Sequence, residues 1–585
     1  MDVFARRKAA QQAKYSSAPV SDVERVLALP RSPLVPPLDL ARKLRPGQTG
    51  IALRPVQEQA LAVLAASGGL LGAIGVGHGK SLIALLAGVA IDAEAVVVLV
   101  SPATVPYMES ILADLQTRYY MPVTRVVSWG RLSAQDSNAM LTDWSVFFEG
   151  KRGLLVADEA HFARNSAAAR TRRLRVWLEY HPEVRFAALS GTLTTRRLSD
   201  FAWLAQRALG AQSPVPAGDL GATWDRVLAN DLQSPADFAA VRPLLQWAGC
   251  QDVPKNVGQV LTDEQQLLVQ RAFGLRLSTA PGVVLTTGAS CDASLYLCGL
   301  PTPVHSFAGL RRQAEDIART YIDPAGVELA DDTEAARTAK RLSLGYYYQW
   351  FWRDGPDYEW LERRQAWARK CRWLLEQYGR PGFDTRGLVE QSARQAIAGG
   401  ESVTGWLQVY ADWAAIADRV KPDKRATWIS DEPLRLIVDW ATQYQPCIIW
   451  YDEEAIADRL EYLGVPVVRA GQAVGPAPRG PVGLSVTAHG GTGLNLQDRW
   501  SRQVFACVPA NGSAWEQVLG RTHRQGQQAD EVWAWVPQWT APLRQALSKA
   551  RQDAAWIEAS TGNQQKLLLA TVLDTCPMVG RVTCK

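Results

Sequence analysis

Short, nearly uninterrupted apolar runs alternate with segments of helical period through most of the chain. In the first half the runs are Leu70–Ile74, AVVVLVSP (95–102), GLLVADEA (153–160) and RFAALSGT (185–192). Runs without polar alternation, spaced by helices, predict parallel strands buried on both faces. The second half repeats the pattern with CIIWYD (447–452), PVGLSVTA (481–488), QVFACVP (503–509) and EVWAWVP (531–537). The expected fold is α/β, with two tandem parallel-sheet lobes. In open sheets of this kind, ligand-binding residues gather at the carboxyl ends of the strands.

Candidate chemistry falls at those ends. In LLGAIGVGHGKSLIALL (70–86), an apolar strand enters a glycine-rich turn and leaves as a helix. Gly75, Gly77 and Gly79 let the backbone curl so that its N–H groups face an anion at the positive helix end. Lys80 can reach phosphates and Ser81 can take a place on Mg²⁺. Ile74 stands where the full phosphate-loop pattern has its first glycine. Asp158 and Glu159 end the 153–160 run, where Asp158 can hold Mg²⁺ through water and Glu159 can polarise the attacking water. Ser190, Gly191 and Thr192 end the next run, where small hydroxyl residues can bond the acidic motif. About twenty residues before the glycine turn, Gln57 offers the paired donor and acceptor that adenine requires. In the second half, HGGTGLNLQ (489–497) precedes QVLGRTHRQGQ (517–527). There Arg521 and Arg524, three apart, are expected on one helix face.

Composition narrows the class. The chain has 585 residues, 47% hydrophobic and 21% charged, as for a globular protein of several domains. No apolar stretch approaches the ~18 residues of a membrane span, and the basic start, MDVFARRKAAQQAKYSS, lacks a signal-like apolar core. The cysteines form no C-x-x-C pair, so neither a zinc site nor a disulfide framework is expected, and a cytoplasmic location is. A net charge of +5 does not by itself imply a nucleic-acid partner. Six histidines occur, and four of them (His78, His161, His489 and His523) sit in the motif stretches. Twenty-two tryptophans stand out and need a use.

Together the motifs resemble the superfamily-two helicases, specifically the Swi/Snf-type DNA translocases. The residues that carry the likeness are Leu53-Arg54-Pro55-x-Gln57, Gly77-His78-Gly79-Lys80-Ser81, the DEAH motif Asp158–His161, Gly490–Leu496 and Arg521–Gln527. Val253-Pro254-Lys255 and the Thr262–Gln265 capping box resemble the family's exit from the first lobe. The resemblance covers roughly 45–275 and 425–540. It implies two RecA-like lobes, ATP hydrolysis with Mg²⁺ in a cleft between them, and movement along DNA, mainly double-stranded. It assigns Gln57, Gly77, Gly79, Lys80, Ser81 and Gly493 to the nucleotide, Ser81 and Asp158 to Mg²⁺, and Lys80, Asp158, Glu159, Arg521 and Arg524 to catalysis. Coupling or DNA contact falls to Ser101, Pro102, Ser128, Ser190, Gly191, Thr192, Thr487, Asn495 and Gln517. Leu193 and Ala488 depart from the family pattern.

The expected organisation is a flexible basic arm (1–37), the first lobe (38–275), a helical, aromatic-rich insertion (276–425), the second lobe (426–540) and a helical brace on that lobe (541–585). In the insertion, GYYYQWFWRDGPDYEWLERRQAWARKCRWLLEQYG (345–379) could stack bases and grip phosphates. The favoured expectation is that its aromatics form a core of their own. An RNA helicase or RNA–protein remodeller is the second enzymatic reading. A nucleotide-gated nucleic-acid clamp without turnover is the alternative of another class.

Overall fold

The computed structural model describes residues 22–32, 35–75, 77–164, 168–191, 197–216, 218–229, 240–248, 263–286, 291–302, 307–353, 355–379, 384–472, 474–475, 479–490 and 494–573. Two units divide the chain. The first is Met1–Asp292 with Gln552–Leu569, and the second is Ala293–Arg551 with Ala570–Lys585. Each is built on its own parallel sheet, the layout of tandem RecA-like lobes.

The first sheet contains β1 (Leu70–Ala73), β2 (Ala95–Val100), β3 (Val123–Ser128), β4 (Gly153–Asp158), β5 (Arg185–Ser190) and β6 (Val283–Leu285). Their order is β3-β2-β4-β5-β1-β6, and every pairing is parallel. Successive strand residues point to opposite faces. Accordingly, Leu71, Val97, Leu155 and Phe186 pack into one core, while Leu70, Val96, Leu154 and Ala187 pack into another. Burial on both sides is why these strands read as continuous apolar runs. β5 separates β1 from β4, and the register sets Ala73 beside Ser190 and Leu189 beside Asp158. The ends of the glycine-loop strand, the serine strand and the acidic strand therefore meet at one level.

In the second unit β7 (Ser294–Gly299) is followed by an excursion containing an antiparallel ribbon, β8 (Tyr346–Phe351) with β9 (Asp423–Trp428). The sheet then resumes with β10 (Ile448–Tyr451), β11 (Val467–Val468), β12 (Val482–Ser485), β13 (Arg502–Phe505), β14 (Glu531–Val536) and β15 (Thr571–Leu573). The order is β11-β12-β10-β13-β14-β7-β15, again wholly parallel. Among the described residues no helix is long and apolar enough to cross a membrane.

Three expected boundaries change. Within the presumed arm, Asp22–Ala28 is a helix, and Val26 is fully buried in a first-unit core. Arg276, itself buried, donates to the carbonyls of Val26 (2.8 Å) and Leu29 (2.9 Å), which satisfies the open end of that helix. The segment 276–425 is not wholly helical: it supplies β6 to the first sheet, β7 to the second, and the ribbon. Third, part of the tail belongs to the first unit, where Trp556 and Ile557 join a core and the Trp556 indole donates to the Leu228 carbonyl at 2.7 Å.

The insertion's aromatics do pack on one another. Trp360, Trp367, Tyr410 and Trp413 are core residues, and the Trp360–Trp413 ring centroids lie 5.2 Å apart, edge to face. Three arginines of its long helix are engaged within it. Arg369 and Arg372 both pair with Glu328, while Arg364 stacks on Trp350 and donates to the Glu328 carbonyl at 3.0 Å. Tryptophan has a recurrent use here, filling core volume while its N–H satisfies a backbone carbonyl. Trp203 to Ala163, Trp224 to Ala240, Trp515 to Pro509 and Trp539 to Ser343 are instances.

Candidate active site

The glycine turn after β1 is held open from beneath. Gly77 and Gly79 have φ of +95° and +76°, conformations that a side chain disfavours. A Cβ on Gly79 would also come within 2.2 Å of Gln57 Nε2. Gln57 sits in the first turn of the helix Pro55–Ser67. Its Oε1 accepts the Arg54 N–H (2.9 Å), and its Nε2 donates to the Gly79 carbonyl (3.2 Å). Arg54 reaches the Gly77 carbonyl at 2.5 Å. Gln57 thus spends one lone pair on the start of its own helix and one N–H on the loop, and its carboxamide has a second lone pair and a second N–H to offer.

Lys80 opens the helix Lys80–Ala90 and is 8% exposed. Its Nζ donates to the Ile74 carbonyl (3.2 Å) and stands 3.8 Å from Glu159 Oε1. Glu159 has a left-handed φ of +51°, which a non-glycine residue adopts uncommonly and at a cost in backbone energy. His161 Nδ1 lies 3.2 Å from Glu159 Oε2 and 3.2 Å from Ser190 Oγ, so it ties the acidic motif to the end of β5. Ser81 is half-buried in the first helical turn, beside Lys80, and Gly191 is buried just past Ser190.

Asp158 ends β4 and is 7% exposed. Burial, and then the charge of Glu159, push its carboxyl up to about 7, with Lys80 opposing. A carboxyl so placed gains from a cation. Asp158 and the Ser81 hydroxyl are hard oxygen donors, and Mg²⁺ commonly takes one or two protein oxygens together with substrate phosphates. The residues present fit that ion. Among the described residues no cluster of three or more His, Cys, Asp or Glu is placed to hold a metal by protein ligands alone. Trp129 is a member of the site that the sequence did not announce. Its buried indole donates to the Asp158 carbonyl at 2.8 Å and so fixes the strand end.

The first-unit residues expected to couple or contact DNA follow the strand ends. Ser101 and Pro102 follow β2 and Ser128 ends β3, whose register sets Val100 beside Ser128. Ser101 is buried, with Oγ 3.0 Å from Thr104 Oγ1. Thr192 and Gly493 lie outside the described residues, as do Leu193, Val253, Pro254, Lys255 and Thr262.

In the second unit Arg521 is 3% exposed, and its Nε donates to the Gly490 carbonyl at 2.7 Å. Arg524 Nη1 reaches the Leu494 carbonyl at 3.4 Å. The two guanidinium groups thus hold residues on either side of 491–493. They do not share a helix face, because the helix Gly512–Thr522 stops before Arg524. Past the helix end Gln527 donates to the Thr522 carbonyl at 2.9 Å, and the His523 ring bonds the Ala293 carbonyl at 2.7 Å. Thr487 and Asn495 are exposed, and Gln517 is half-buried on the Gly512–Thr522 helix.

A serine–histidine–glutamate array occurs elsewhere. Ser145 Oγ lies 2.8 Å from His181 Nε2, and His181 Nδ1 lies 3.1 Å from Glu183 Oε1, beside a cavity of about 860 Å³. Ser145 is inside the helix Ser137–Phe148, where backbone N–H groups are spent on helix bonds and cannot form an oxyanion hole. Its Oγ also bonds the Leu141 carbonyl and the Trp177 indole, each at 3.1 Å. The array pins two helices together.

No protein-family model matches the chain, and a search of curated proteins returns no match.

Proposed function

We propose that this chain is an ATP-driven motor of the superfamily-two, Swi/Snf-type kind, which hydrolyses ATP with Mg²⁺ and moves along duplex DNA. The observation that carries the reading is the meeting of Lys80, Glu159, His161 and Ser190 at the ends of β1, β4 and β5. In this reading Lys80 neutralises phosphate charge, and the loop N–H groups cradle the phosphates at a helix N-terminus. Ser81 and Asp158 would hold Mg²⁺, which supplies further charge neutralisation when bound. Glu159 orients water and accepts its proton. Arg521 and Arg524 keep the charge-stabilising role that the family resemblance implies. The DNA partner rests on the resemblance of Gly490–Leu496 and Arg521–Gln527 to motifs that grip duplex phosphates.

Phosphate release with no polymer, single-stranded DNA, duplex DNA and RNA at fixed ionic strength tests the proposal. Duplex DNA is expected to stimulate most, regardless of sequence, and increasingly weakly as salt rises. Stimulation by RNA alone would replace this reading with the RNA remodeller. Nucleotide binding without turnover on any template would leave the clamp.

A further inference from the structure

The floor of the glycine turn is tied to the far end of the chain. Gly75 donates its N–H to Thr286 Oγ1 at 2.9 Å, just past the end of β6. Thr286 in turn donates its N–H (3.1 Å) and its hydroxyl (3.2 Å) to Asn563 Oδ1. The hydroxyl hydrogen is therefore directed at Asn563, which leaves an oxygen lone pair for Gly75. Thr286 is 8% exposed and Asn563 is 3% exposed, so water does not compete for these bonds.

Asn563 is itself anchored. Its N–H bonds Thr561 Oγ1 (3.3 Å), and its carbonyl accepts from Gln565 Nε2 (3.0 Å). The helix before it, Ala541–Thr561, approaches Gly274 so closely that a Cβ there would lie 2.7 Å from the Ala559 carbonyl. The chain on either side of 552–569 belongs to the second unit. A segment flanked by the second unit thus carries the side chain that sets a loop donor in the first.

We propose that Thr286 and Asn563 are positioning residues for the phosphate loop, fixing Gly75 so that the glycine turn is shaped for a nucleotide before it binds. The inference rests on the reading of this loop as an ATP site. Neither residue touches the phosphates in this account; both act through Gly75.

The test compares Thr286→Val, Thr286→Ser, Asn563→Ala and the Thr286→Val/Asn563→Ala pair with the parent and with Lys80→Ala. The readouts are the Kd for a fluorescent ATP analogue, KM and kcat for ATP, and the melting temperature without nucleotide. Thr286→Val and Asn563→Ala are expected to raise Kd and KM about tenfold, the cost of one directed hydrogen bond, with kcat within about twofold. Thr286→Ser keeps the hydroxyl and is expected to bind within about twofold of the parent. The pair is expected to be no worse than the poorer single variant, because both act on one relay. A purely structural role would lower the melting temperature and leave Kd unchanged, which overturns the proposal, as would additive effects in the pair. Binding lost in Lys80→Ala but retained in Thr286→Val overturns the relay alone. A parent that binds no nucleotide overturns the ATP-site reading and the relay with it.

Discussion

Lys80 Nζ stands 3.8 Å from Glu159 Oε1, at the meeting of the helix that follows β1 with the end of β4. The lysine also donates to the Ile74 carbonyl at 3.2 Å. Lys80→Ala is expected to cut hydrolysis at least about a hundredfold, because a charge-assisted contact at the transferring phosphate is lost. Glu159→Gln is expected to bind ATP normally and turn it over as poorly. Phosphate release alongside nucleotide binding checks both. Turnover near the parent rate in either variant contradicts the assignment.

Gln57 joins two roles, since it caps the Pro55–Ser67 helix and supports Gly79. Gln57→Ala is expected to cost about 1 kcal/mol of stability, as loss of a helix cap does, and also to weaken ATP binding. Denaturant unfolding and nucleotide titration read the two losses separately. A loss of stability with ATP affinity unchanged would confine Gln57 to capping.

The two arginines of the R-x-H-R-x-G-Q motif are expected to separate. Arg521 is buried and bonded to Gly490, so Arg521→Ala removes a buried bond to the Gly490 carbonyl and is expected to destabilise by about 1–3 kcal/mol. Arg524→Ala is expected to lower kcat with a smaller loss of stability. Equal unfolding curves for the two variants would contradict that division.

His489 offers a pH signature. Burial holds its imidazole below the usual histidine range, and its Nδ1 accepts the Ser485 N–H at 3.1 Å, which requires a lone pair. The folded state therefore binds a proton less readily than the unfolded chain does. The stability this group contributes is therefore present above its unfolded pKa of about 6.5 and is lost as pH falls below it. Melting temperatures at about pH 7.5 and about pH 5.5 are expected to differ less in His489→Asn than in the parent. An equal difference in both proteins would assign the pH response to other groups.

Much of both sheets was legible because β1, β2, β4, β5, β10, β12, β13 and β14 are buried on both faces and so appear as apolar runs. β3 escaped that rule: VTRVVS is only half-buried at a sheet edge. The stretch YYYQWF read as part of a helical pattern, yet its alternating rings suit a ribbon, where Tyr346 stacks on Trp428 across the strands. The glycine turn and the acidic pair were legible because their chemistry is local. Trp129, Thr286 and Asn563 were not, since each matters through a partner distant in sequence. Spacing alone predicts Arg521 and Arg524 on one helix face, because it does not reveal that the helix ends at Thr522.

The arginines of the insertion test whether that module grips nucleic acid. Arg372 bonds Glu328 and the Leu329 carbonyl, each at 2.7 Å, so its replacement by Ala is expected to destabilise the module by about 1.5–3 kcal/mol. Duplex affinity is expected to fall by less than about threefold. Affinity lost by far more, with unfolding unchanged, would make the module a nucleic-acid surface.

The central claim is directed movement along duplex DNA driven by ATP, and displacement of the third strand of a DNA triplex measures it most directly. With ATP and Mg²⁺ the parent is expected to release the third strand, while Lys80→Ala and the parent without ATP are expected to leave it bound. Duplex-stimulated hydrolysis with no strand displaced would contradict the account.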